Sequence, residues 1–234
     1  MTLPGVGSDE VPIVARTAPA SGERRSSRSV YLAPGETLGP YVVIDLVAEG
    51  SMGVLYRARH RTLGRIVALK VPWGPGRTQD GLSRFEREAT LAAGLDADPH
   101  LATVFDFGME RGIQWLAMRW IDGRTFDRWV ADLPGGARAS PRALVRPLLP
   151  AIRAMGRFHR AGIVHRDVKP RNLMIDTDGG IHIVDFGVAR DLRVESRLTL
   201  DGNPIGTPLY MSPEQAKGRP DIGPPSDVHA FGCV

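Results

Sequence analysis

The 234-residue chain has a single cysteine, Cys233, so it can form no internal disulfide and carries no cysteine-based metal cluster. That usage fits a reducing cytosol, and a cytoplasmic location is expected. No apolar run approaches the roughly 20 residues that a membrane-spanning helix needs, and the N-terminus lacks the apolar core of a secretory signal. A membrane anchor in sequence beyond Val234 is left open. A strong excess of one charge sign is also missing: 30 Lys and Arg oppose 26 Asp and Glu, giving +4 and a pI near 9.6. The cations are scattered, with no basic stripe interleaved with aromatics, so nucleic acid is not an expected partner. The remainder, 42% apolar and 24% charged residues, is ordinary for a globular protein, and the length is enough for one substantial domain or a two-lobed one.

Residues 1–33 are rich in Pro, Gly, Ser and Arg and lack apolar periodicity, so they read as a disordered leader. Its Ser26, Ser27 and Ser29 lie beside Arg24, Arg25 and Arg28, and a solvated tail is the plain reading. Strand-like runs follow at Tyr41–Ile44 with Leu46–Val47, Val54–Ala58 and Ile66–Val71, separated by short breaks that predict an antiparallel meander. Leu82, Phe85, Ala89 and Ala92 share one face of a predicted helix, and two more strands are expected near Thr103–Phe107 and Ile113–Met118. After Asp122-Gly123 the pattern turns helical, near Phe126–Val130 and from about Pro141 to Arg160, where Pro147 and Pro150 predict a kink or a later start. A strand at Ile181–Val184 would deliver Asp185 at its end.

The chemistry concentrates in His165-Arg166-Asp167-Val168-Lys169-Pro170-Arg171-Asn172 and in Asp185-Phe186-Gly187. A carboxylate, an ammonium, an amide and a second carboxylate in one fold are the groups needed to hold a metal-bound triphosphate beside an attacking hydroxyl. These residues resemble the catalytic loop and metal-binding motif of eukaryotic-type (Hanks-type) bacterial serine/threonine protein kinases. The resemblance runs from about Tyr41 to Val234. It implies an α+β, two-lobed fold over 34–234, with a small antiparallel β lobe at about 38–120 and a mostly helical lobe at about 121–234.

The same resemblance assigns roles. Asp167 would orient the acceptor hydroxyl and Lys169 would stabilise the transferring group, while Asn172 and Asp185 would hold Mg²⁺, with Mn²⁺ as a second fitting ion. Lys70, in Ala68-Leu69-Lys70, would meet the α- and β-phosphates and pair with Glu88. Ala48-Glu49-Gly50-Ser51-Met52-Gly53 resembles a glycine-rich loop whose first glycine is replaced; a positive φ at Ala48 would cost about 1 kcal/mol. Leu55, Ala68 and Met174 would touch adenine, with Met118 behind them. Arg166 would pair with a phosphate on the activation segment, at Thr199 first and Ser196 second, and Thr207 matches Ser/Thr specificity. His165 and Phe186 read as packing elements. Ser212 stands where the family usually has alanine, and Asp227 resembles the aspartate that supports the catalytic loop.

The chain ends inside a helix beginning around Asp227, which predicts a catalytic domain truncated at its C-terminus. Glu214 would then lack its usual arginine, and exposed apolar surface would favour self-association. The expected partners are ATP and protein Ser/Thr hydroxyls. Two alternatives stay open: a non-catalytic nucleotide-binding or interaction module, and a small-molecule kinase, which the Gly206–Glu214 segment disfavours.

Overall fold

The computed structural model describes residues 31–50, 53–72, 98–185, 208–219 and 221–234. Its upper lobe is a six-stranded antiparallel sheet in the order β1-β2-β3-β4-β6-β5, with β1 Thr37–Leu38, β2 Tyr41–Gly50, β3 Gly53–His60, β4 Ile66–Pro72, β5 Val104–Glu110 and β6 Ile113–Arg119. The first strands meander as expected, but β6 inserts between β4 and β5. Arg111 and Gly112 both take positive φ between β5 and β6, the signature of a tight two-residue hairpin, so these strands pair with each other whichever lies inside. The inner place goes to β6, whose Trp115, Leu116, Ala117 and Met118 are all buried, and the edge goes to β5 with Asp106 and Glu110. Leu32, at the end of the predicted leader, is buried in this lobe, and its N–H donates to the Tyr56 hydroxyl at 3.0 Å.

Side chains alternate across a strand, and here that alternation divides two cores. Val54, Tyr56 and Ala58 of β3, Val67, Leu69 and Val71 of β4, and Trp115 and Ala117 of β6 fill the upper core. The opposite face presents Leu55, Ala68, Leu116 and Met118, which pack toward the lower core, with Lys70 on the same side.

The lower lobe holds a second sheet, β7 Gly123–Thr125, β8 Leu173–Asp176 and β9 Ile181–Ile183, and helices α1 Phe126–Ala131, α2 Pro141–Arg160, α3 Pro213–Ala216 and α4 Pro224–Cys233. No described helix is long and apolar enough to cross a membrane. Contrary to the sequence expectation, α2 starts at Pro141 and runs unbroken through Pro147 and Pro150. Ser140 caps it by accepting the Ala143 N–H, and its first turns are largely exposed, so water can reach the carbonyls that the prolines leave without partners. Leu148, Ala151, Met155 and Phe158 form its buried stripe.

The stretch entering β5 is stitched to the lower lobe. Leu101 bridges Ile183 in parallel, Ala102 N–H donates to Ile183 O at 2.9 Å, and Ile183 N–H donates to His100 O at 2.8 Å. The Asp98 carboxylate, 7% exposed, pairs with Arg157 of α2.

Candidate active site

The loop between α2 and β8 is held from below by α4. Asp227, 1% exposed, accepts the backbone N–H of His165 on Oδ2 and of Arg166 on Oδ1, both at 2.8 Å, and lies 2.8 Å from His159 Nε2. Arg166 has φ 65°, a left-handed conformation that costs a non-glycine residue about 1 kcal/mol or more, so outside contacts must hold it. Asp227 supplies two of those contacts for the loop. His165 is fully buried: its Nδ1 accepts the Asp167 N–H at 3.2 Å, which leaves Nε2 to donate to the Val184 carbonyl at 3.2 Å. Both ring nitrogens thereby serve the backbone, as expected for a packing residue.

These supports aim Asp167, which is 9% exposed. Its Oδ2 accepts from Lys169 Nζ at 2.8 Å and from Asn172 Nδ2 at 2.9 Å, and Nδ2 also donates to the Asp167 carbonyl at 2.8 Å. The Asn172 amide nitrogen is thus spent on Asp167, and among the described residues no group donates to its oxygen. Val184 N–H donates to the Asn172 carbonyl at 2.9 Å, which ties this loop to the strand delivering Asp185.

Asp185 also has a left-handed backbone, φ 58°. Its carboxylate makes an ion pair with Lys70 Nζ, a contact the sequence reading did not anticipate; Glu88, the expected partner of Lys70, lies outside the described residues. Burial alone would raise the Asp185 carboxyl, but the Lys70 ammonium, helped by Lys169, holds it below the usual carboxylate range. Asn172 and Asp185 together offer hard oxygen donors, which suit a magnesium ion sharing its shell with phosphate and water rather than an all-protein cage. Among the described residues no cluster of three or more His, Cys, Asp or Glu forms such a cage.

Above Asp185, the cleft face of the upper sheet sets Leu55 opposite Lys70 and Ala68 opposite Met118. Met174, half-buried on β8, points away from the core that takes Leu173 and Ile175. Ala48 and Glu49 are the extended end of β2, opposite Leu55 and Val54, and Glu49 accepts from the Tyr31 hydroxyl at 2.6 Å. Ala48 is not among the positive-φ residues, so its feared strain does not arise. Gly53 is different: φ is 151°, and a Cβ there would lie 2.3 Å from the Val71 carbonyl. Gly50 has open space around it.

Ser51, Met52, Phe186, Gly187, Ser196, Thr199 and Thr207 lie outside the described residues. Beyond them, Ser212 is fully buried and caps α3: its Oγ accepts the Gln215 N–H, and Gln215 Oε1 accepts the Ser212 N–H. The Ser212 hydroxyl donates to Ser226 Oγ at 3.0 Å, and the Ser226 hydroxyl donates to Glu214. Glu214, expected to lack its usual arginine, thus accepts from a serine hydroxyl of α4. A hydroxyl at position 212, where alanine offers none, completes the chain, and the Ser226 hydrogen bond pulls the Glu214 carboxyl below its ordinary range. Sequence reading also missed the Gln215 side chain, whose Nε2 donates to the Arg166 carbonyl at 2.8 Å; its only signal was a glutamine three residues after a serine.

The family model described as protein kinase domain matches residues 41–234. The chain is 35% identical over 201 residues to the probable serine/threonine-protein kinase pknA2 of Bifidobacterium longum, covering 84% of this chain and 26% of that protein. It is 31% identical over 197 residues to the serine/threonine-protein kinase PrkC of Bacillus subtilis, covering 84% and 30%. Among solved structures, the Mycobacterium tuberculosis PknI kinase domain superposes with a TM-score of 0.66 at 29% identity, covering 86% of this chain and 74% of that one. The chain thus spans about 26% to 30% of the length of these two curated relatives. It belongs to the protein kinase domain family, with the two-lobed α+β fold of the bacterial Hanks-type kinases.

Proposed function

We propose that this chain is the catalytic unit of a serine/threonine protein kinase, transferring the γ-phosphoryl group of ATP to protein hydroxyls. The observation that carries this reading is the closed cluster in which Asp167 Oδ2 receives both Lys169 Nζ and Asn172 Nδ2. Held in this way, the Asp167 carboxylate would accept the proton of a substrate hydroxyl, and an ammonium stands where negative charge develops. Asn172 and Asp185 would hold Mg²⁺, or Mn²⁺, which when bound neutralises phosphate charge. Lys70 would turn from Asp185 to the α- and β-phosphates, toward Glu88. Leu55, Ala68, Met118 and Met174 would enclose adenine, and the backbone of Ala48 to Gly53 would cover the phosphates. Arg166 would receive a phosphate carried by Thr199 or Ser196, and Thr207 would favour Ser/Thr acceptors.

The direct Lys70–Asp185 pair supports a second reading, a nucleotide-binding module without transfer, because it engages a metal ligand with a cation. Transfer of labelled γ-phosphate to a generic basic protein, compared with Asp167→Asn and Lys70→Met, separates the two. Transfer lost in both variants supports the kinase. A melting shift with MgATP but no transfer supports the binding module.

A further inference from the structure

The peptide unit joining Arg166 to Asp167 is gripped at both ends. Its N–H, on Asp167, donates to His165 Nδ1, and its C=O, on Arg166, accepts from Gln215 Nε2 at 2.8 Å across 49 residues of sequence. The preceding unit is held by Asp227 through the Arg166 N–H. Rotating the 166–167 peptide would swing the Asp167 carboxylate, and a left-handed residue relaxes toward other conformations when its contacts are released. The other end of the Gln215 amide closes the cap of α3, which Ser212, Ser226 and Glu214 fasten to α4.

We infer that Gln215 is a positioning residue for phosphoryl transfer, coupling the seating of segment 208–219 to the orientation of Asp167. The inference rests on the kinase reading of Asp167 above. Glutamine suits this place because it offers one acceptor and one donor. Glutamate would keep the acceptor that caps the helix but set a carboxylate oxygen against the Arg166 carbonyl. Methionine has similar bulk and offers neither group.

The test uses the full chain with Gln215→Glu and Gln215→Met, hydrogen exchange across 165–167, thermal melting, and separate kcat and KM measurements. In Gln215→Glu the exchange at 165–167 should quicken by about tenfold while Tm stays within about 2 °C of the parent. Its kcat should fall by about tenfold with the KM for ATP unchanged, since a small misplacement of a reacting group costs rate and not nucleotide binding. Gln215→Met should show the same loss of kcat with a lower Tm. Parental exchange at 165–167 in Gln215→Glu, or a drop in kcat matched by a rise in the KM for ATP, would overturn the inference. Equal background transfer by the parent and Asp167→Asn would instead sink the kinase reading, and the exchange result alone would then decide whether Gln215 holds the loop.

Discussion

Replacing Asp227 tests how the catalytic loop is held. Its carboxylate accepts from two backbone N–H groups and one imidazole in a site that is 1% exposed. Asparagine keeps one oxygen. Placed at the Oδ2 position it still serves His165 N–H and His159, and strands only Arg166 N–H, at about 1–3 kcal/mol for an orphaned buried donor. Alanine strands all three, and water entering the vacated space offsets part of that loss, so about 4 kcal/mol is expected, in line with breaking a buried ionic contact. Against a total stability of about 5–15 kcal/mol, Asp227→Ala should be barely folded at 37 °C while Asp227→Asn survives. Urea unfolding followed through the four tryptophans measures both. An alanine variant within about 1 kcal/mol of the parent, or an asparagine variant as costly as alanine, would refute the hydrogen-bond accounting.

Other residues make separate predictions. Gly53→Ala should destabilise the upper lobe by about 2–3 kcal/mol and abolish the MgATP melting shift, because its methyl meets the Val71 carbonyl; Gly50→Ala, in open space, should stay within about 1 kcal/mol. Lys70→Met removes the cation that depresses the Asp185 carboxyl and leaves the burial that raises it, so its titration followed by carbon NMR should move upward. In the parent, the depressed Asp185 contributes stability present above the unfolded carboxylate value near pH 4 and lost as pH falls through the lower folded value; Lys70→Met should abolish that loss. Asp176 is depressed first by its hydrogen bond from His182, at 2.6 Å, so its contribution is also lost on acidification below about pH 4. His182→Phe should flatten that acid limb in a melting series, and an unchanged slope would count against the pair.

Strands β2, β3, β4 and β6, helix α1 and the extent of α2 were legible because their signals are local, alternation and a helical apolar pattern, whereas the two prolines inside α2 wrongly suggested a kink or a later start. The three-residue β7, the four-residue β8 and the order of β5 and β6 were not, since short strands carry little periodicity and placement within a sheet is decided by distant neighbours. The loop from His165 to Asn172 was legible as chemistry, but its restraints were only partly so. Asp227 was anticipated by resemblance, whereas Gln215, Ser226 and the Lys70–Asp185 contact depend on chain segments brought together only by folding.

Among the described residues two stretches of chain tie the lobes together, 98–102, sewn to β9 and α2, and the passage from β6 into β7. One tether would let the upper sheet swing in any direction; two fixed points define an axle. Opening and closing over the cleft should therefore be a single rotation about the line joining Leu101 and Ile121. Groups near that line, such as Met118, would barely travel, and the far tip of the β2–β3 hairpin would sweep the widest arc.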